Sequence, residues 1–226
     1  MILDNAPEKV HRYNQLCVHY NLVADAIYKA RGECDNLFGS GFLPFLVAAL
    51  ISFDLGRMMG SGAETRYDPE RGGFAARLME KLQAIRQYLH HLTNIRLCEV
   101  NLAEERNNII NAYRQLSAGG NDSLNQTGDE FHVGATKIMH FLYPELFVII
   151  DSNAAKAFRM AHNVRYRNTT QPGYSADKYI KCLSYAQTDI NALGTVEFCA
   201  LENETPMARI YDKLSFATGA NWAPFI

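Results

Sequence analysis

Residues 129–158 read DEFHVGATKIMHFLYPELFVIIDSNAAKAF. After Val133-Gly134 the apolar residues Ile138, Phe141 and Leu142 recur at helical spacing, and Pro144 ends the run. The stretch predicts a tight turn closing at Val133-Gly134, with a helix starting at once and carrying Lys137. The apolar segment Leu146–Ile150 then runs into Asp151, at the mouth of a further helix beginning Ser152-Asn153-Ala154. A glycine just ahead of a helix lets another molecule approach the backbone closely. The first amides of that helix, at Ala135, Thr136 and Lys137, are expected to point outward with the positive end of the dipole behind them, a setting for a phosphate. The alternative is a plain turn between packed helices.

Two side chains in this stretch carry chemistry. Asp151 reads as an N-cap, accepting backbone N–H bonds. A carboxylate held that way beside an apolar wall also opposes a developing positive charge. Lys137 falls at the edge of the buried side of its helix. It is an exposed lysine, a phosphate contact, or an amine nucleophile if desolvation lowers its pKa.

Outward from this core, helical periodicity dominates. Val10–Ala30 reads as one long helix ended by Gly32. Phe42–Met59 reads as an apolar helix with Pro44 in its first turn. Phe74, Leu78, Leu82, Ile85, Leu89 and Leu92 form an amphipathic stripe, and Leu102–Leu116 forms another. Gly119-Gly120 breaks the chain before a short helical piece expected over Asp122–Phe131. Further helices are expected at Ser175–Leu193 and Thr205–Phe216. No alternating strand pattern, repeat or low-complexity tract is visible. The expected class is all-α, with about nine or ten helices.

At 226 residues, 48% hydrophobic and 20% charged, the chain is long enough for one full core or for two small lobes sharing one. The longest apolar run, Phe42–Phe53, is too short to span a bilayer. The N-terminus MILDNAPEKVHRY has no signal-peptide apolar region, so a cytoplasmic setting without membrane contact is expected. Five scattered cysteines and seven histidines show neither CxxC nor HExxH spacing, so reduced thiols and no metal site are expected. Net charge is −2, which argues against a general nucleic-acid binder. Between Asp151 and Lys181, however, Lys156, Arg159, Arg165, Arg167, Lys178 and Lys181 face only two acids. That is a local basic face suited to an enzyme that visits DNA, or an ordinary solvated surface.

The order of a turn with Val-Gly, a lysine-bearing helix, Pro144-x-Leu146-Phe147 and then Asp151 is similar to the helix-hairpin-helix DNA glycosylases of the endonuclease III superfamily. Phe131-His132-Val133-Gly134 resembles the hairpin, and Phe147–Asp151 resembles the approach to the catalytic aspartate. The close match covers about thirty residues. The resemblance implies an all-α, two-lobed helical domain over residues 1–226. Its helix-hairpin-helix element would lie at about 122–143 and its catalytic aspartate helix at about 151–162. Two departures stand out. His132 occupies the place of the first hairpin glycine. Thr136 occupies the family's lyase-lysine position, with Lys137 one residue later and roughly 100° around the helix. The iron–sulfur cysteine cluster of some members is absent.

These points imply a monofunctional, monomeric enzyme without a cofactor. It would act on double-stranded DNA and flip out and excise a modified or damaged base to leave an abasic site. Catalysis would fall to Asp151 with Lys137. His132, Val133, Gly134, Thr136, Asn153, Lys156, Arg159, Arg165 and Arg167 would hold DNA. The substrate expected from accessory lineages found with bacterial defence genes is a hypermodified phage base, such as glucosylated hydroxymethylcytosine. A base pocket is expected from Asp54, Arg57, His140 and Tyr143, although Asp54 and Arg57 also read as a surface ion pair and His140 and Tyr143 as core. The competing expectations are a non-catalytic helix-hairpin-helix DNA-binding module and a helical interaction protein in which Asp151 is only a cap.

Overall fold

The computed structural model describes residues 1–53, 73–124, 130–165 and 176–221. Among the described residues every regular element is a helix, so the all-α class holds. No helix among them is long and apolar enough to cross a membrane.

Pro7 in the first turn opens α1, Ala6–Leu16, where its missing N–H costs nothing. A single residue outside helical geometry, Cys17 at φ −113° and ψ 37°, then separates α1 from α2, Val18–Glu33. The expected single helix over Val10–Ala30 is therefore two, and Gly32 lies inside the second. The Cys17 amide still donates to Tyr13 and its carbonyl accepts from Asn21, so both helices keep their terminal bonds across the joint. No glycine or proline marks such a break.

α3, Leu43–Phe53, buries Leu46, Ala49 and Leu50. The remainder of the expected Phe42–Met59 helix lies outside the described residues. α4, Phe74–Leu89, buries the predicted stripe and ends in a short 3-10 turn at His90–Leu92. α5, Arg106–Ser117, starts later than the Leu102 expected, because the Asn101 side chain accepts the amides of Ala103 and Glu104 and holds that segment as a turn.

Between α5 and the next helix, the expected helix over Asp122–Phe131 is not formed by its described residues. Only a 3-10 turn, Gly120–Asp122, is present, and Ser123, Leu124, Glu130 and Phe131 are non-helical. α6 then runs His132–Leu142, three residues earlier than expected. Val133-Gly134 is thus the first turn of the helix and not a turn ahead of it. The Ala135 amide donates to Phe131, so it is already paired.

Tyr143–Ile150 connects α6 to α7, Ser152–His162. The connector is buried and tied down: Leu97 donates to the Glu145 carbonyl, and the Tyr179 hydroxyl donates to Val148. α8, Ala176–Leu193, and the short α9, Thr195–Cys199, follow. The last described helix, α10, Met207–Gly219, is buried almost all round and packs chiefly against α7 and α1. It carries Arg209, Asp212 and Lys213 inside the protein at 2, 6 and 4% exposure. Charged groups at such depth need partners, and each has one.

Candidate active site

Asp151 stands at the end of a buried apolar wall, Leu146–Ile150, with extended backbone at φ −89° and ψ −171°. Its Oδ1 accepts the amides of Asn153 at 2.9 Å and Ala154 at 2.8 Å, which makes it the N-cap of α7. One residue earlier, the Ile150 amide donates to the Thr136 hydroxyl at 3.1 Å, and that hydroxyl donates to the Val133 carbonyl at 2.9 Å. Thr136 therefore pins the approach to Asp151 against α6. This link also fixes the position of Asp151 relative to Lys137, the residue after Thr136.

A cleft of about 370 Å³, part of it open to solvent, forms in front of Asp151. Lys137, Ile149 and Asp151 line one part of it. Tyr13, Tyr20 and Phe53 come from α1, α2 and α3, and Arg209, Asp212 and Phe216 from α10. Tyr20 and Phe53 stack with ring centroids 4.9 Å apart, and Tyr13 meets Phe216 edge-on at 5.5 Å. Lys137 Nζ lies 5.5 Å from the centre of the Phe53 ring and 3.5 Å from the Phe53 carbonyl. Aromatic faces and a cation thus share one opening, an arrangement suited to a flat, electron-rich ligand.

Two carboxylates enter this cleft from different elements. Burial pushes the Asp151 carboxyl above its ordinary value, and the amide of Ala154, the Lys137 charge and the amide of Asn153 oppose that rise. Asp212 is pushed up to about 7, chiefly by burial, with the Arg209 guanidinium opposing and the neighbouring Asp151 charge adding to the rise. Arg209 Nη1 donates to Asp212 Oδ2 at 2.5 Å, while its Nη2 donates to the Tyr13 hydroxyl and to Asn21 Oδ1, both at 3.1 Å. The guanidinium also sits 5.1 Å from the centre of the Tyr13 ring.

Of the residues anticipated from sequence, Asp151 and Lys137 share the cleft. Lys156, Arg159 and Arg165 are exposed on α7 and just beyond it. The hairpin residues are placed otherwise. Gly134 is buried, and a Cβ there would overlap the Phe131 ring, so its lack of a side chain serves packing inside the protein. Thr136 is fully buried and both its hydrogen bonds are internal, so it offers nothing to DNA. His132 is 8% exposed, bonded to Glu130 and stacked on Tyr113. Val133 is half-buried and its carbonyl is used by Thr136. Asn153 is half-buried, its amide on Asp151.

Of the expected base-pocket residues, His140 and Tyr143 take the core placement. His140 has no exposure, accepts or donates at 2.6 Å with the Tyr28 hydroxyl, and bonds the Phe147 carbonyl through Nδ1. Tyr143 is 2% exposed and borders a separate hollow with Arg31, Arg86 and His90. Asp54, Arg57 and Arg167 lie outside the described residues.

Tyr13, Tyr20, Phe53, Arg209, Asp212 and Phe216 were not anticipated. One signal for them exists in the sequence: Arg209 and Asp212 stand three apart in a run, Met207–Gly219, whose neighbours are mostly apolar.

No protein-family model, no curated protein and no solved structure matches the chain.

Proposed function

We propose that the protein is a monofunctional DNA glycosylase that flips a modified or damaged base from duplex DNA and hydrolyses its glycosidic bond. The observation that carries this reading is Asp151: a carboxylate locked by two amides at a helix N-terminus, on an apolar wall, facing an aromatic-lined cleft that also holds Lys137. Fixed in this way, Asp151 needs no reorganisation when positive charge develops at C1′ of the sugar. The stacked Tyr20 and Phe53 rings offer an apolar face to an extruded base, and Lys137 offers a cation to the leaving base or to the DNA backbone. The exposed cations Lys156, Arg159 and Arg165 are carried by the same helix, or the segment just after it, that Asp151 caps. Phosphate contacts from there would make binding salt-dependent.

The hairpin as a phosphate grip forms no part of this proposal, since Gly134 and Thr136 are committed to internal packing. The test is abasic-site formation on a panel of duplex DNAs: unmodified, uracil-containing, oxidised, alkylated, and phage DNA with and without glucosylated hydroxymethylcytosine. Alkali-labile breaks on one substrate, absent with Asp151→Asn, support the reading and name the base. DNA binding without breaks on any substrate favours the non-catalytic binding module.

A further inference from the structure

The cleft holds a second carboxylate that the glycosylase reading does not use. Asp212 comes from α10, opposite the connector that delivers Asp151, and both line the same opening. Each spends one oxygen inside the protein, on partners of a different kind. Asp151 commits Oδ1 to two amides, with the Lys137 charge close by. Hydrogen bonds to the charged form weaken a carboxylate as a base and suit it to electrostatic stabilisation. Asp212 commits only Oδ2, to Arg209, and its Oδ1 has no hydrogen-bond partner among the described residues. Arg209 is in turn held by Tyr13 and Asn21, so the free oxygen is carried on an immobilised frame. A buried ion pair is weak as a source of stability, because desolvation offsets its attraction. Its placement at the wall of a cleft points to a use there.

Resting on the glycosylase reading, we propose that Asp212 is a second catalytic carboxylate, which holds the attacking water and takes its proton while Asp151 stabilises the sugar cation. The water oxygen forms the new bond to C1′ as the C1′–N bond breaks, and the bonding electron pair leaves with the base nitrogen. The water proton passes to Asp212 Oδ1 and is returned to solvent, from which the departing base is protonated. One water is consumed and the protein is unchanged. Burial raises the proton affinity of Asp212 to about 7, which suits it to take a proton from water near neutral pH.

The test uses full-length protein and the DNA on which the wild type releases a base. D212N is expected to lose about 10²- to 10⁴-fold in single-turnover rate, with DNA affinity held within threefold. Sodium azide, a nucleophile that needs no deprotonation, is expected to restore base release by D212N with an azido sugar as product, and to leave D151N inactive. A wild type that releases no base from any DNA removes the glycosylase reading and this inference together. An active wild type with D212N turnover within threefold of it, or a slow D212N that azide does not restore, overturns this inference alone. Should D212N fail to fold, the solvent deuterium isotope effect on the wild-type reaction decides. A value near two or above fits proton removal from water, and a value of one overturns it.

Discussion

Gly219, at the end of α10, lies against the backbone carbonyl of Asn153 in the first turn of α7, so closely that a Cβ on it would overlap that oxygen. Asn153 is one of the two residues whose amides hold Asp151. The helix that carries Asp212 is therefore seated directly on the turn that fixes Asp151. A glycine sets how near α7 and α10 come at this point.

Substituting Gly219→Ala forces α7 and α10 apart. Overpacking of this kind costs about 1–3 kcal/mol, and the backbone atom it meets cannot swing away. Thermal unfolding should show the loss, and base release should fall further than folded fraction alone accounts for. Unchanged unfolding and unchanged turnover would mean the contact is slack.

Gly134→Ala separates packing from phosphate binding. The added methyl meets the Phe131 ring, so a stability loss of about 1–3 kcal/mol is expected. At a temperature where the variant remains folded, DNA affinity and its salt dependence should match wild type. A selective loss of DNA binding with normal unfolding would restore the glycine to the DNA interface.

Asp151→Asn should remove base excision while leaving DNA binding intact or tighter. Asparagine caps helices about as well as aspartate. Burial disfavours the ionised form of Asp151, so neutralising it adds no folding penalty beyond about 1 kcal/mol. Abasic-site yield, gel-shift affinity and a denaturation midpoint measured on one preparation check all three. Loss of binding in step with loss of excision would argue that Asp151 is structural.

Lys156→Ala and Arg159→Ala should weaken DNA binding uniformly across sequences. Each should reduce the slope of log affinity against log salt by about 0.9 if it contacts a phosphate. A slope identical to wild type in both would place DNA elsewhere on the protein.

Stability against pH should show two opposing slopes. Burial lowers His140 from 6.5 to about 3, so the unfolded chain binds a proton that the folded one refuses. The stability linked to His140 is lost as pH falls through that window. Burial raises Asp212 from 3.8 to about 7, so the folded chain binds the extra proton and stability falls as pH rises through that window. Among the described residues, Asp212 interacts with Arg209 on its own helix, with Asp151 and Lys137 at the cleft, with Tyr13 on α1, and with Cys17, Tyr28 and Tyr179. D212N removes one slope and exposes the other. Urea unfolding at about pH 4.5 and about pH 6.5 should then show a steeper rise than in wild type. Parallel behaviour of the two proteins would count against a raised Asp212.

Much of the helical architecture was legible because its signals are local. The Phe74–Leu89 stripe needed only its own spacing, and Asp151 announced its cap through the residues just after it. The break at Cys17 was invisible, since neither neighbour disfavours helix and the joint keeps its backbone bonds. Val133-Gly134 reads as a turn because a helical glycine that makes room for Phe131 looks, in sequence, like one that makes room for a ligand.

The sequence by itself determined that the chain is helical, that a helix opens at Asp151, and that Lys137 belongs to the helix before it, all settled by contacts within a few residues. Only the tertiary structure decided what faces Asp151. Tyr13, Tyr20, Phe53, Arg209, Asp212 and Phe216 reach the cleft from α1, α2, α3 and α10 through packing between distant segments. The physical reason is one of range. A cap is made by hydrogen bonds along one stretch of chain, whereas a cleft exists only where separate helices stop short of filling the space between them.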